Sequence, residues 1–324
     1  MRNWGRFLGT TPEPSRLLAR ADGWADQIRD ATGAYRVVAE MASDLAGLAE
    51  LCDDAEWSLL RAALLAHPLA QLLRRDPLLA RAWRRGEAGQ HGAGPQDGVL
   101  VDLMLRHPES EALLRRADDI GRNVYEATSA LPGCEAMRDC RRLLARLGDS
   151  VAERRWGAEI LGIGPGFMRE ATLSLSGPAG GIRRWVGLVP HQDDATVIGR
   201  SMPVPWVIPY VARQLPTLLR PDLLGSFDLV YCTGLDQLPD QAAELLLVAA
   251  FARVKPGGRL LFAGHDRGGD DSAFWQLATG LVRNPRDEAR FAGLMGALPP
   301  RDVAAQRVFR SMNGAMVYLE VEKA

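Results

Sequence analysis

The stretch from Ala158 to Asp266 constrains the fold of this 324-residue chain more than any other. Ala158–Ile163 is a short apolar run that reads as a strand, β1, and Gly164-Pro165-Gly166 breaks it sharply. Further strands are expected over 185–189 (β2), 206–210 (β3), 227–232 (β4) and 259–264 (β5). A helical run from Gln241 to Val254 separates β4 from β5, and Lys255-Pro256-Gly257-Gly258 stops it. Two more strands, near 306–311 (β6) and 315–321 (β7), are joined by Met312-Asn313-Gly314. Asn-Gly between alternating apolar residues is a hairpin signal. The sum is a mostly parallel α/β sheet with an antiparallel hairpin at its end. Sheets of this kind bind ligands at the carboxyl ends of their strands.

The preceding half of the chain has a different periodicity. Residues 12 to about 150 mix Leu and Ala with Arg at helical spacing, as in 59–65 and 113–116, and strand alternation is nearly absent. One amphipathic helix is expected from Met137 to Glu153, leading into the sheet through Trp156-Gly157. Gly86 to Pro95 holds four glycines and a proline, so it is a loop, either a binding lid or a linker. The expected domains are therefore 1–155, helical with a glycine-rich lid loop at 86–98, and 156–324, the sheet.

Composition narrows the function classes. A formal net charge of -1 supplies no field that would draw the chain to nucleic acid or an anionic membrane, so neither is expected as a partner. The four cysteines (Cys52, Cys134, Cys140, Cys232) lack zinc or CxxC spacing, and His67, His91 and His107 show no ligand spacing. No metal is expected, and the cysteines read as reduced thiols of a cytoplasmic protein. The start, Met1-Arg2-Asn3-Trp4, lacks the apolar core of a signal peptide, and no apolar run is long enough to span a bilayer.

Gly162, Gly164 and Gly166 form a GxGxG at the end of β1. Glycine there lets the backbone approach a ligand and adopt φ > 0, with the ligand facing a helix amino terminus. The acidic residue that such sites carry at the end of β2 is here Val189; Asp193 and Asp194, further on, are candidate substitutes for it, in a geometry that Pro190 complicates.

With these elements in this order, the chain resembles the class I S-adenosylmethionine (SAM)-dependent methyltransferases, in particular the bacterial family that makes hydroxy-fatty-acid methyl-ester signals. The likeness runs over about 65–322. It rests on His67-Pro68-Leu69 through Arg81-Ala82, on Arg85 to Asp102, on Glu135 to Arg142, on Phe227 to Asp240 and on Lys255 to Leu261. The resemblance implies a Rossmann-like sheet behind a helical amino-terminal domain, SAM as cofactor, and a small-molecule substrate. A homodimer is the expected assembly. Four departures from the family pattern stand out. The lid tyrosine and aspartate are replaced around Glu87, Ala88 and Gln90, the asparagine before the arginine pair is Asp139, the acid before the β1 turn is Gly162, and the β2 acid is Val189.

The resemblance assigns cofactor contacts to Gly162, Gly164, Gly166, Val189, Pro190, Tyr231 and Cys232. Arg138, Arg141 and Arg142 lie at i, i+3 and i+4, on one helix face, and a guanidinium pair suits the methionyl carboxylate of SAM. Arg138 and Arg142 with Asp139, for the ammonium, complete the expected cofactor set. At the strand ends, Thr233, Asp236 and His265 are the candidate catalytic groups, with His191 a further candidate base. The leading expectation is methyl transfer to O or N of a small molecule. One alternative is intramolecular cyclisation of SAM to an azetidine amino acid with release of methylthioadenosine. Another is a non-catalytic partner protein that keeps the fold.

Overall fold

The computed structural model describes residues 14–29, 33–87, 97–279 and 284–324. The centre of the glycine-rich loop, 88–96, and with it Gln90 and His91, lies outside the described residues. The chain forms two compact units. One holds 1–88, 111–131 and 273–281; the other holds 89–110, 132–272 and 282–324. The expected boundary at 155/156 is thus not where contacts divide. The helix Pro132–Arg154 belongs with the sheet because it buries its apolar stripe, including Leu144, Leu147 and Val151, against β1, β2 and β4 residues. The helix Ser272–Thr279, read from within the sheet half, has most of its residues in the helical unit.

The sheet unit contains a seven-stranded sheet of order β3-β2-β1-β4-β5-β7-β6. The strands are β1 (Ala158–Ile163), β2 (Ile182–Val189), β3 (Val207–Val211), β4 (Phe227–Cys232), β5 (Val254–His265), β6 (Val303–Arg310) and β7 (Met316–Lys323). The first five are parallel, and β7 runs antiparallel to both β5 and β6. This is the Rossmann-like sheet of the class I methyltransferase fold, with its terminal antiparallel hairpin. β1 and β4 are buried at every position, which explains their continuous apolar reading: both faces of a parallel sheet are covered. One face carries Leu161, Ile163, Val230 and Phe262 under the helix Asp240–Phe251; the other carries Ile160, Trp185, Leu229 and Tyr231 under Pro132–Arg154.

The sequence did not reveal the helix between β2 and β3, Gln192–Ser201. It is short and polar on most faces, so periodicity barely marks it. Asp193 and Asp194, weighed as substitutes for the missing β2 acid, occupy its first turn, where they complement the helix dipole. Lys255-Pro256-Gly257-Gly258 opens β5 rather than ending the helix, which stops at Phe251.

Opposite the ligand edge, at the amino ends of β1, β4 and β5, Lys255 Nζ lies 2.6 Å from Glu159 and 2.7 Å from Asp228. Burial alone would raise the Glu159 carboxyl, but hydrogen bonds from Lys255, Arg183 and Arg184 hold it down at about 2. Among the described residues no helix is long and apolar enough to cross a membrane.

In the helical unit, Asp76 caps the helix Pro77–Glu87 by accepting the Leu78 N–H at 2.7 Å, and it also accepts the Thr128 hydroxyl at 2.6 Å. It is fully buried, and burial pushes its carboxyl from 3.8 up to about 7. A carboxyl raised by folding favours the protonated fold. Its contribution is complete below about 3.8 and is lost as pH rises through about 7. Asp76→Asn keeps the carbonyl acceptor for Leu78 and cannot ionise. We expect the variant to flatten the stability difference between pH 5 and pH 8 by on the order of a few kcal/mol in urea denaturation. An equal loss at both pH values would mean that Asp76 folds as the carboxylate.

Candidate functional site

Chain order reverses between β1 and β4: from β1 the chain steps outward to β2 and β3, and from β4 it steps the other way. A ligand crevice lies outside the carboxyl ends of the strands at such a switch point. Register pairs Gly162 with Tyr231 and Ile163 with Cys232, so the Gly164 turn and Thr233 leave the sheet side by side.

Gly164 and Gly166 have φ of 62° and 63°, as a ligand-approaching turn requires, and the Gly164 N–H is anchored on the Leu188 carbonyl at 3.1 Å. The segment after the turn departs from expectation. Met168 is itself left-handed at φ 55°, and the chain makes a five-residue 3-10 helix, Arg169–Leu173, rather than an α-helix aimed at the turn. No α-helix amino terminus stands behind these glycines. Gly162 has a packing role: a methyl group on it would sit 2.5 Å from the Tyr231 hydroxyl and 3.1 Å from Pro165.

That tyrosine belongs to a buried polar chain. Arg141 Nη1 meets Glu170 Oε2 at 3.0 Å, the Tyr231 hydroxyl donates to Glu170 Oε1, and Trp185 Nε1 donates to the Tyr231 oxygen at 3.0 Å. Arg141 is 2% exposed, and Glu170, Tyr231 and Trp185 are fully buried. Burial raises the Tyr231 hydroxyl well above its ordinary value, reinforced by the Glu170 charge. Burial alone would lower Arg141; the Glu170 carboxylate outweighs it and keeps the guanidinium charged.

The three arginines of this helix therefore do not converge. Arg141 turns inward to Glu170, Arg138 donates to the Met104 carbonyl at 2.8 Å, and Arg142 pairs with Asp139 at 2.6 Å on the exposed face. The i, i+3, i+4 spacing spreads them over an arc of helix wide enough to reach both protein and solvent.

At the end of β2, Val189 is buried and aliphatic, and His191 is the exposed residue before the next helix. Neither side chain supplies a buried acid there. At the ends of β4 and β5 the picture is different. Thr233 and Asp236 are both buried, and His265 Nδ1 lies 3.3 Å from Asp236 Oδ2. The register that carries β4 beside β5 brings together two residues twenty-nine positions apart in sequence, both candidates from sequence. Cys232 points into the opposite core, and burial pushes its thiol up to about 11, so it is a packing residue at neutral pH.

Arg286 was not anticipated. It is 1% exposed and gathers the loop after β4: Nη1 donates to the Leu235 carbonyl at 2.8 Å, Nη2 to the Leu238 carbonyl at 2.6 Å, and Nε to Asp240 Oδ1 at 2.9 Å. Nothing in Asn284-Pro285-Arg286 marks it in sequence. Beside it, Asp266 pairs with Arg310 at 2.9 Å, and Asp271 accepts the Gly133 N–H at 2.7 Å.

Among the described residues, one group has metal-ligand spacing: Asp102, His107 and Glu109. The Arg169 guanidinium already binds both Asp102 oxygens, at 2.9 and 2.7 Å, and Glu109 at 2.6 Å. The group is an arginine clasp that fixes the helix Gly98–Leu105 onto the segment after the glycine turn.

No protein-family model and no curated protein matches this chain. Among solved structures it is similar to a possible exported protein from Bordetella parapertussis, at 16% identity over 97% of this chain and 99% of that one, with a TM-score of 0.52. It also aligns with the N-methyltransferase NodS from Bradyrhizobium japonicum in complex with S-adenosyl-L-homocysteine (15% identity, 68% and 99% coverage, TM-score 0.43). A third is magnesium protoporphyrin IX methyltransferase (ChlM) from Synechocystis with bound SAM (13% identity, 72% and 100% coverage, TM-score 0.43). At 16% identity and a TM-score of 0.52, the likeness to the first of these is one of fold.

Proposed function

We propose that this protein is a SAM-dependent enzyme acting on a small molecule, with transfer of a methyl group to O or N as its reaction. The observation that carries the reading is the buried Asp236–His265 pair at the ligand edge, beside the switch point of a class I methyltransferase sheet. The turn keeps the left-handed backbone such a cofactor needs at Gly164 and Gly166, while a side chain on Gly166 would point at Val101, 3.5 Å away, so only the turn's backbone is offered to a ligand. The β2 end does not offer the usual ribose carboxylate, so the ribose would have to be held by groups beyond Pro190. When bound, SAM supplies an electrophilic carbon next to a sulfonium.

The protein's own part is proton handling. In this reading the Asp236 carboxylate, 3.3 Å from Nδ1 of His265, takes the hydrogen bond of an Nδ1–H tautomer, and Nε2 is then the nitrogen that accepts a proton. A base of this kind serves a nucleophile that must lose a proton, an ammonium or hydroxyl group, and has nothing to do for a carboxylate. The substrate class is therefore an amine or alcohol. Intramolecular attack by the amine of SAM is the second reading, since it too requires deprotonation.

The test is mass spectrometry of SAM incubated with purified protein, with and without a panel of amines and alcohols. Methylated acceptor supports the proposal. Methylthioadenosine with a small amino acid from SAM alone would replace it with cyclisation. Failure to bind SAM at millimolar concentration would sink both and leave a non-catalytic partner protein.

A further inference from the structure

We infer that Arg286 is a positioning residue, which sets the Asp236–His265 pair by clamping the loop between β4 and the helix Asp240–Phe251. The inference deepens the reading above and rests on it for the identity of the reacting pair.

Asp236 sits in a tight turn, Leu235–Gln237, closed by the Gln237 N–H on the Gly234 carbonyl and the Leu238 N–H on the Leu235 carbonyl, both at 3.1 Å. Contacts from the segment 284–286 secure it further. The Arg286 fork spans the carbonyls of Leu235 and Leu238, the residues on either side of Asp236-Gln237. The Asn284 N–H donates to the Asp236 carbonyl at 2.7 Å, and the Arg286 N–H to the His265 carbonyl at 3.4 Å. One short segment thereby fixes both members of the pair from behind. Packing adds a limit on the other side: a methyl on Gly264 would lie 3.2 Å from the Asp236 nitrogen, so the turn is seated directly on β5.

A buried guanidinium is an expensive way to fill space, because desolvation of the charge must be offset by its hydrogen bonds. Its acidic partner among the described residues, Asp240, is largely exposed, so the pairing itself is screened. The carbonyl contacts are the geometric content of the residue. A planar fork of donors can hold two carbonyls at fixed separation; a lysine ammonium presents one point charge on a flexible stem. Gln237 Nε2, 3.3 Å from Asp236 Oδ2, is a further side-chain contact on the carboxylate oxygen that faces His265.

The experiment reads the histidine itself. In protein with 15N-labelled histidine, long-range proton–nitrogen spectra report the tautomer of each of the five imidazoles, and the His265→Asn spectrum assigns the one concerned. In the wild type, His265 is expected as a single Nδ1–H tautomer. Arg286→Met, which keeps bulk and removes the fork, should replace it with a mixture of tautomers. Asp240→Asn, which weakens only the exposed ion pair, should leave the single tautomer. Should Arg286→Met fail to fold, Arg286→Lys decides in the same spectrum, with the same loss expected. A folded Arg286 variant that retains the single Nδ1–H tautomer overturns the inference. The measurement uses no SAM, so absence of turnover would count against the enzymatic reading alone and leave the positioning role standing.

Discussion

Replacing Asp236 by Asn should lower turnover by about 10²–10⁴-fold while SAM affinity stays within about twofold of wild type. Asparagine keeps the size of the side chain but loses the charge that selects Nδ1–H on His265, 3.3 Å away. Its amide can donate to Nδ1, which puts the proton on Nε2 and turns the base into a donor. His265→Asn should cost a similar factor, and the double variant little more than either single, because the two residues act as a unit. Calorimetric SAM titration and single-turnover methyl transfer to the acceptor found in the screen measure the two quantities. Loss of SAM affinity in parallel with turnover would show that the pair holds the cofactor rather than moving a proton.

Arg141→Met should destabilise the sheet unit by about 3–5 kcal/mol, the range for breaking one side of a buried ion pair. The methionine fills most of the volume, but Glu170, fully buried, keeps the Tyr231 hydroxyl as a donor and loses its charge partner. Arg141→Met with Glu170→Gln should recover most of the loss, since no charge then remains uncompensated and the glutamine oxygen still accepts from Tyr231. Urea denaturation of the three proteins gives the coupling directly. Equal, additive losses would mean that Arg141 and Glu170 do not depend on one another, against their 3.0 Å contact. The same pair bears on binding. A guanidinium neutralised by an internal carboxylate is not available to a ligand carboxylate, so a SAM methionyl end would have to find other partners than Arg141.

The sheet was legible because its signals are local. Ala158–Ile163 and Phe227–Cys232 are continuous apolar runs between breakers, and their bounds in the structure are those read from sequence. Asn313-Gly314 marked the terminal hairpin, and Gly314 takes the left-handed φ of 72° that the turn needs. The helix Gln192–Ser201 escaped because few apolar residues mark it, and the α-helix expected after the glycine turn is a 3-10 helix. That 3-10 helix carries Glu170, whose partner Arg141 lies 29 residues away, a contact that no short window of sequence contains. At the candidate site, strand ends pointed to Thr233, Asp236 and His265, because chemistry in such sheets concentrates at carboxyl ends. Arg286 and Glu170 carried no such positional cue.

By itself, then, the sequence determined the mostly parallel order of strands, the glycine turn and the strand ends from which polar groups project, all consequences of apolar runs and breakers a few residues long. Tertiary structure alone decided which charges meet. It turned Arg141 inward and Arg142 outward, set His265 against Asp236, and placed Arg286 behind them. The physical reason is range: strand and turn preferences act within a few residues, whereas a buried charge is stable only beside a partner that the fold, not the chain order, supplies.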